Sequence, residues 1–566
     1  MLKFQNKTVL VTGSGTGIGQ AITKKFVENG ASAIILGRRK EPLVETAKML
    51  EGIIKEKQSN ATIKIFDGVD VSDEKAVTGM FDSLKSENVN LDVVVNNAGV
   101  SGPVTCFAHQ PVHDDFRSTV GIHLTGTFWT SVQALKVMKE GAKIITISTF
   151  FAEERPLEQR PYRFRSPYTA SQGAKNRLVE AMSWELTEKG IISIGTNPGP
   201  VHSDRIYKTV YPKAASEFLR VSGFEDLSQS EVEAANNEIV GLLGESDETI
   251  KSGIKAAAEK LGKPETTLTN LLDKVKNIAE KIQKNTSTMI PDQQFLSQEQ
   301  VATTVLTLSD DDQAKILNGK IIPGDRVFYP VKSHIRSSVP KSEKNNLDGK
   351  RCMIVYDGQW GGNDEEAIKN FKKDDDLRVS SLVSMIEEKG GKVVTYPMHK
   401  TGMHGWNEVD LFIHVTGNVP NFSKLTELSY IGWSGLVDKF IWSPAHVIRD
   451  AVDQFVPGGS DDPRKFKDAK GRIITIGPDL PTGKKISGHE RAKVEVFRGA
   501  MRPFTTTINQ EFSDVLKSNI RAFLILPGTV DGKEPSDENI VNTINYLMSD
   551  ESQSSSEVIF CPDETR

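Results

Sequence analysis

The segment Thr12-Gly-Ser-Gly-Thr-Gly-Ile-Gly19 decides the fold of this 566-residue chain. The apolar run from Val9 to Val11 just before it predicts a short buried strand, and the glycines predict a tight turn that opens a helix. Such a turn lets a phosphate approach the backbone, and the helix amino terminus offers free N–H groups and a positive dipole end. The segment is therefore typical of a dinucleotide diphosphate site, the alternative being a plain strand–helix turn.

The composition, 37% hydrophobic and 26% charged, excludes wholesale disorder and fibrous repeats. A net charge of -5 and a pI near 6.1 give no basic excess for binding nucleic acid. The three cysteines form no CxxC pair, which argues against a disulfide framework or a zinc site and fits a reducing compartment. No apolar run approaches the roughly 20 residues that span a bilayer, and the first strand begins too early for a signal peptide. We therefore expect a soluble, cytoplasmic protein with no metal, nucleic-acid or membrane partner.

Short apolar runs alternate with amphipathic stretches over residues 1–150. The strand candidates are KTVLVTG, ASAIILG, ATIKIFD, LDVVVNNAG and AKIITIS. This alternation predicts an α/β fold with a parallel sheet covered by helices on both faces. From about residue 207 to 297 the pattern is helical and strand-poor, which predicts an insertion, either a lid or a surface bundle. A polar stretch at 331–349 predicts an interdomain linker.

The last third of the chain repeats the strand order of the first. KRCMIVYDG, KVVTYPM, VDLFIHVTGN, GRIITIGPD and RAFLILPGTV follow each other as their counterparts do. This order predicts a tandem duplication, with two Rossmann-like, doubly wound parallel-sheet domains at 1–330 and 350–566. The second copy is expected to pack on the first as a partner subunit would, which makes the chain an intrachain pseudo-dimer or part of a homo-oligomer.

The second copy departs from the first at the residues that carry chemistry. Asp364 stands at the predicted position of the third glycine, where its carboxylate would repel and crowd a diphosphate. In its helix, His489 is predicted to stand where the first copy has Tyr168, and Lys493 lies four residues further on. We therefore expect the second copy to be degenerate and non-catalytic.

The motifs of the first copy resemble the short-chain dehydrogenase/reductase family over residues 5–206 and again near 297–326. TGxxxGxG at 12–19, NNAG at 96–99, a hydroxyl after the fifth strand, Tyr168 and Pro198-Gly199 carry the resemblance. It implies an NAD(P)-dependent oxidoreductase that acts on a small-molecule carbonyl. It also implies a cofactor site made of Gly13, Ser14, Thr16, Gly17, Ile18, Gly19, Asp70, Val71, Asn97, Ala98, Gly99, Pro198, Gly199, Val201 and Ser203.

The tandem units, the helical insertion and the segment GPVHSDRI further resemble a half of the bacterial bifunctional malonyl-CoA reductases. This closer resemblance implies reduction of an acyl-CoA thioester to the aldehyde, or of malonic semialdehyde to the hydroxy acid. A hydride that attacks the thioester directly needs no cysteine nucleophile, so Cys106 is expected to be structural.

The residues after the second strand indicate which nicotinamide cofactor is bound. An NAD site uses a carboxylate there to hold the ribose hydroxyls, but this strand ends on Gly37. Arg38 and Arg39 follow, and a guanidinium suits a 2′-phosphate. The sequence therefore predicts NADP(H) rather than NAD(H).

At the catalytic positions the resemblance implies Tyr168 as proton donor and Thr149 as the hydroxyl that holds the substrate oxygen. Gln172 replaces the lysine that makes the family tyrosine more acidic, and His123 replaces the asparagine of the proton relay. A phenol titrates near 10 unaided, so bringing it to neutrality takes about 4 kcal/mol from another source. Lys175 shares the helix face of Tyr168 but lies about 10 Å along the axis, so it either supplies part of that charge or, as we expect, is exposed. His123 either carries a proton in the relay or is a packed core residue.

Arginines near the tyrosine are candidates for binding an anionic substrate. Arg163 and Arg165 precede Tyr168 in a loop that would border the pocket, and Arg205 follows the Pro-Gly segment. Guanidinium groups there suit a carboxylate or coenzyme A phosphates, unless they pair with the loop's own glutamates. Two functions stay open: a reductase, or a pseudoenzyme that binds NADP(H) as a sensor or scaffold.

Overall fold

The computed structural model of the chain shows two parallel sheets with flanking helices. It describes residues 2–109, 112–152, 163–201, 210–326, 342–356, 378–397, 409–420, 424–456, 463–479, 487–527, 536–554 and 557–561.

Seven parallel strands form the first sheet, in the order β3-β2-β1-β4-β5-β6-β7. Because the strand order reverses between β1 and β4, the loops after these two strands open a crevice at the carboxyl edge, where doubly wound sheets bind ligands. The strands are β1 (Thr8–Thr12), β2 (Ser32–Gly37), β3 (Ile63–Asp67), β4 (Leu91–Asn96), β5 (Met138–Ile147), β6 (Ile192–Pro198) and β7 (Ile321–Gly324).

The side chains of β1 point alternately to the two faces of this sheet. Val9 and Val11 pack with Phe26 on one face, whereas Leu10 joins the cluster of Phe81 on the other. Both faces are buried, as expected for a parallel sheet between helix layers. The helices of this copy are α1 (Gly17–Glu28), α2 (Lys40–Glu56), α3 (Glu74–Ser86), α4 (Arg117–Val120), α5 (Gly126–Ala134), α6 (Ser166–Leu186), α11 (Gln298–Leu308) and α12 (Asp311–Ile316).

In the described residues between β6 and α11, where the sequence predicts the insertion, there are four α-helices. They are α7 (Tyr211–Ser222), α8 (Gln229–Ile239), α9 (Asp247–Leu261) and α10 (Glu265–Ser287). Their apolar faces meet in a core of their own around Leu268, Leu271 and Val275. A capping box between Ser228 and Glu231 begins α8, which satisfies backbone donors at that helix end.

The second sheet has the described order β13-β12-β11-β10-β8-β9, all parallel. All five strands matched in the sequence are present, so the prediction of tandem Rossmann-like domains is confirmed. The strands are β8 (Arg351–Tyr356), β9 (Lys392–Pro397), β10 (Leu411–Val415), β11 (Lys470–Ile476), β12 (Asn519–Pro527) and β13 (Val558–Cys561). The helices are α13 (378–388), α14 (Tyr430–Val437), α15 (Ser443–Phe455), α16 (Gly488–Gln510) and α17 (Asp537–Leu547).

Hydrogen bonds at the end of α13 match this helix to α1 of the first copy. The N–H groups of Gly390 and Gly391 bond as those of Gly30 and Ala31 do at the end of α1. Counting back from this match, Val379 occupies the position of Gly19. Asp364, predicted for that position, lies outside the described residues.

Helices α6 and α16 cross with their backbones in contact, and this crossing joins the two copies. A Cβ at Gly173 would lie 2.1 Å from the Gly499 carbonyl oxygen, and one at Gly499 would lie 2.8 Å from the Gly173 oxygen. Nearby, the rings of Phe128 and Trp433 stack at 3.8 Å. One hydrophobic core therefore continues from the first sheet into the second.

The crossing also corrects the predicted match between the two helices. Because Gly173-Ala174 and Gly499-Ala500 meet as equivalents, the position of Tyr168 corresponds to Val494 and that of Gln172 to Arg498. His489, predicted for the tyrosine position, instead lies five residues before Val494. The second copy therefore has neither a tyrosine nor a histidine at the position of the proton donor.

Candidate active site

The glycine-rich turn has the backbone geometry that the sequence predicts. Gly13 and Gly17 have φ values of 67° and 63°, a region that other residues rarely adopt. A Cβ at Gly19 would lie 2.3 Å from the Gly13 carbonyl oxygen, whereas one at Gly17 would meet nothing within 4 Å. The turn is thus closely packed behind Gly19 and open in front of Gly17.

Three neighbouring residues brace this turn. The Asn97 side chain donates to the Thr12 carbonyl at 2.9 Å, and the Thr12 hydroxyl accepts from the N–H groups of Asn97 and Ala98. The Ser14 hydroxyl is buried and accepts from the Leu36 N–H at 2.9 Å. The side chains of Asn97 and Ser14, both predicted at the cofactor, therefore shape the turn from behind.

Open space and free donors at α1 fit a dinucleotide diphosphate. Thr16 is exposed and its side chain caps no N–H of α1, and Ile18 lies in the uncapped first turn. At the edge of the cleft, the side-chain oxygen of Gln172 is buried and has no hydrogen-bond partner among the described residues. A nicotinamide ribose hydroxyl is a suitable donor for this orphaned oxygen, because buried polar atoms are normally paired.

Arg38 and Asp70 meet at the end of the crevice where the adenosine would lie. Arg38 is exposed directly after β2, and its Nη1 lies 3.6 Å from Asp70 Oδ2. The other Asp70 oxygen accepts from the Ser72 N–H and hydroxyl, while Val71 is buried against Gly126. Arg38 is therefore an exposed cation that pairs with the Asp70 carboxylate at this end of the crevice.

Beyond β6, the Pro198-Gly199 segment closes the other end of the crevice. A Cβ at Gly199 would lie 2.3 Å from the Asp325 carbonyl oxygen, so this position is packed against the chain after β7. Val201 pairs with Leu296 in an isolated bridge. Ser203 and Arg205 lie outside the described residues.

Tyr168 lies in the first turn of α6, with a buried guanidinium on its ring. The Arg165 guanidinium carbon is 3.9 Å from the ring centroid, and its Nη2 donates to the Ser101 carbonyl at 2.7 Å. Arg165 is only 5% exposed. A residue predicted to bind substrate is thus placed against the predicted proton donor.

His123 packs edge-on against the same tyrosine, with ring centroids 5.3 Å apart. Its Nε2 lies 2.8 Å from the Val100 carbonyl, and its ring occupies the space where a Cβ of Gly99 would be. Burial, with the Lys175 charge second, lowers the pKa of His123 to about 3. Of the two readings of His123, the structure favours the packed and neutral one.

Lys175 is buried, contrary to the prediction that it is exposed. It is 1% exposed, and its Nζ donates to the Ile147 carbonyl at 2.6 Å. Burial lowers the pKa of Lys175 to about 7. The prediction failed because exposure depends on what covers α6, and the covering elements come from distant parts of the chain.

Thr149 is the second residue after β5 and is buried. Its neighbour Ser148 donates its hydroxyl to the Gln172 carbonyl at 3.0 Å, which ties the end of β5 to α6. The next two residues, Phe150 and Phe151, pack with Met289 and Ile290 at the end of the helical insertion. The insertion therefore borders the site at the predicted substrate hydroxyl.

The second copy contributes two acidic groups that the sequence did not bring to the site. Asp514 forms an ion pair with Arg163, the other described arginine predicted to bind substrate. Glu511 accepts the N–H groups of Phe107 and Phe164 and is fully buried. The repeat could have pointed to Glu511 from the sequence alone. Glu511 lies twelve residues after Gly499, as Glu185 lies twelve residues after Gly173.

Cys106 packs beside this carboxylate and is buried. Burial raises the pKa of its thiol well above that of a free cysteine. A thiolate nucleophile is therefore not available there, as expected of a structural cysteine.

The comparisons with known proteins identify the first copy. The short chain dehydrogenase family model matches residues 7–211. An uncharacterized oxidoreductase of Bacillus subtilis is 31% identical over 37% of this chain and 71% of its own length. A 3alpha-hydroxysteroid dehydrogenase of Mediterraneibacter gnavus is 30% identical over 36% of this chain and 78% of its own length. The chain belongs to the short-chain dehydrogenase family.

Two solved structures share the tandem architecture of this short-chain dehydrogenase over nearly its whole length. The C-domain of a bacterial malonyl-CoA reductase, solved with NADP, has a TM-score of 0.69 at 16% identity and covers 98% of this chain and 96% of its own. The N-domain, also with NADP, has a TM-score of 0.67 at 14% identity, covering 100% and 98%. At these identities the likeness establishes the fold. Among the described helices none is long and apolar enough to cross a bilayer.

Proposed function

We propose that this short-chain dehydrogenase is an NADP(H)-dependent reductase of a carbonyl or acyl-CoA thioester. Tyr168 donates a proton to the carbonyl oxygen, and the Thr149 hydroxyl holds that oxygen in place. A bound NADPH would supply the hydride to the carbonyl carbon. The turn at Gly13–Gly19 would hold the diphosphate, Arg38 the 2′-phosphate, and Gln172 a hydroxyl of the nicotinamide ribose.

One observation carries the proposal of catalysis: the buried Arg165 guanidinium on the Tyr168 ring. Negative charge develops on the phenol oxygen as the proton leaves, and a cation within roughly 4–6 Å favours that charge. The family lysine that does this is replaced by Gln172, which is neutral. We infer that Arg165 takes over its electrostatic role.

Neither His123 nor Lys175 is as well suited to this role. His123 is neutral near pH 7 because its pKa is lowered to about 3. Lys175 loses its charge as the pH rises through about 7. Arginine stays charged throughout, so it supplies a field that does not depend on pH.

For the substrate we propose the thioester or aldehyde class, on the strength of the whole-length similarity in fold to the malonyl-CoA reductase domains. Arg163 is paired with Asp514 and Arg165 with Tyr168 and Ser101. Both arginines thus already have protein partners, and their contact with an anionic substrate stays a prediction.

The first experiment measures NADPH oxidation with malonyl-CoA, malonic semialdehyde and, because of the steroid dehydrogenase relative, a 3-oxosteroid. We expect turnover with one of the first two and its loss in Tyr168→Phe, with NADPH affinity unchanged. Turnover that survives Tyr168→Phe would contradict the role of the phenol. NADPH binding without turnover on any substrate would instead favour a cofactor-binding pseudoenzyme.

The second experiment asks whether Arg165 replaces the missing lysine. An opposite charge this close favours the ionised form by about 1–3 pKa units, so Arg165→Met should lower kcat at least about 10-fold. If Arg165 acts electrostatically, adding Gln172→Lys to that variant should restore much of the loss. A double variant no faster than Arg165→Met would show that Arg165 has a different role.

A further inference from the structure

Glu511 reaches from the second copy into the loops that frame the active site of the first. One carboxylate oxygen accepts from the Phe107 N–H at 2.5 Å and the other from the Phe164 N–H at 2.8 Å. Phe164 directly precedes Arg165, whose guanidinium lies on Tyr168. The carboxylate thus holds the backbone on which the catalytic arrangement depends.

The first copy makes the reciprocal contact. Glu185 is fully buried and accepts from the N–H groups of Leu425 and Thr426 in the second copy, at 2.6 and 2.9 Å. Leu425 begins a short helical turn of the second copy, as Phe107 does in the first. Glu185 and Glu511 each lie twelve residues, about 18 Å along a helix, beyond the glycine at the crossing. The two contacts are therefore related by an approximate two-fold axis through that crossing.

Only one of these two contacts reaches a site that can catalyse. The copy that Glu185 holds has Val494 in place of the tyrosine, whereas the copy that Glu511 holds has Tyr168. We propose that Glu511 is a positioning residue, supplied by the degenerate copy, that orders the 163–165 segment and so places Arg165 on Tyr168. The catalytic consequence of this inference rests on the proposed function, whereas the ordering of residues 163–165 by Glu511 does not depend on it.

The surroundings of Glu511 favour a specific role over general stabilisation. Burial raises the pKa of Glu511 to about 7, and Cys106 and the carboxylate of Glu217 pack close by. Burying a carboxylate beside another acidic group costs folding free energy. An apolar side chain of similar volume often stabilises an interface as well as a buried charged group does. A carboxylate is the side chain that accepts two backbone N–H groups at once.

The test compares Glu511→Gln with Glu185→Gln, its matched control at the other end of the same interface. Glutamine keeps the volume but offers only one acceptor oxygen, so one backbone N–H loses its partner. Amide hydrogen exchange is followed in peptides that cover 105–109 and 163–168, together with the melting temperature, NADPH affinity and kcat of the full-length chain.

We expect Glu511→Gln to exchange about tenfold faster in these peptides, and kcat to fall about 10- to 100-fold because a small misplacement is costly. NADPH affinity should not change, since neither Phe107 nor Phe164 belongs to the predicted cofactor site. Glu185→Gln should lower the melting temperature to a similar degree while leaving these peptides and kcat within about twofold of the wild type.

Two results would overturn the inference. Unchanged exchange at 105–109 and 163–168 in Glu511→Gln would show that the carboxylate does not order these loops. Equal losses of kcat in both variants would show that Glu511 stabilises the interface between the copies and does not specifically position Arg165. If the wild type turns over none of the substrates, the proposed function fails, and the exchange comparison still decides whether Glu511 positions the segment.

Discussion

Replacing the buried Lys175 with Met should stabilise the protein at pH 7 and weaken that advantage as the pH rises. In the folded state burial lowers the pKa of Lys175 from 10.5 to about 7. The unfolded chain therefore takes up a proton below about pH 10.5, which the folded protein accepts only below about pH 7. Between these values, acidification favours unfolding of the wild type, whereas methionine does not titrate.

The magnitude follows from the difference in pKa. A shift of about 3.5 units corresponds to about 5 kcal/mol of penalty at and below pH 7. Methionine also loses the hydrogen bond to the Ile147 carbonyl, and leaving that carbonyl unpaired costs about 1–3 kcal/mol. The variant should thus be more stable by about 2–4 kcal/mol at pH 7. The advantage should shrink by about 1.4 kcal/mol per pH unit and close near pH 9.

Thermal unfolding between pH 6 and 9.5 measures this difference, at about 2–4 °C per kcal/mol for units of this size. Lys143→Met provides the control, because Lys143 is equally buried but paired with Asp311. Lys143→Met should lower the stability of the protein at pH 7, whereas Lys175→Met should raise it. A difference between wild type and Lys175→Met that stays constant from pH 7 to 9.5 would refute the reasoning.

The lowered pKa of Lys175 also bears on the proposed reaction. A lysine that is neutral above pH 7 cannot provide the charge that Gln172 lacks. We therefore expect Lys175→Met to retain turnover at pH 8, in contrast to Arg165→Met. A large loss of kcat in Lys175→Met at that pH would move the electrostatic role from Arg165 to Lys175.

Two further predictions concern the cofactor and the interface. Arg38→Ala should weaken NADPH binding about 10- to 100-fold, the value of a charge-assisted hydrogen bond, and leave NADH binding unchanged in a fluorescence titration; an equal loss for both would exclude a 2′-phosphate contact. Gly173→Ala should lower the melting temperature sharply, since its Cβ would lie 2.1 Å from the Gly499 carbonyl oxygen. Gly52→Ala, in α2 with nothing within 4 Å, should instead be neutral or stabilising by about 1 kcal/mol; equal effects would show that the crossing tolerates a side chain.

Features that depend on neighbouring residues could be predicted from the sequence. The strand β1, the turn with positive φ at Gly13 and Gly17 and the start of α1 follow from an apolar run and glycines in fixed order. The duplication was also predictable, because a strand in a parallel sheet needs a continuous apolar run in either copy. Even so, the predicted match of α16 to α6 was wrong by five residues. The contacts between the two helices determine which residues correspond, and these contacts cannot be read from the sequence of either helix.

The sequence by itself determined the family, the two sheets and the absence of the usual lysine at Gln172. Only the tertiary structure decided that Lys175 is buried, that Arg165 lies on Tyr168 and that Glu511 holds the loop before it. The physical reason is that burial and charge pairing depend on which distant elements cover a residue. The two copies cover each other at the α6–α16 crossing, so one copy completes the surroundings of the other.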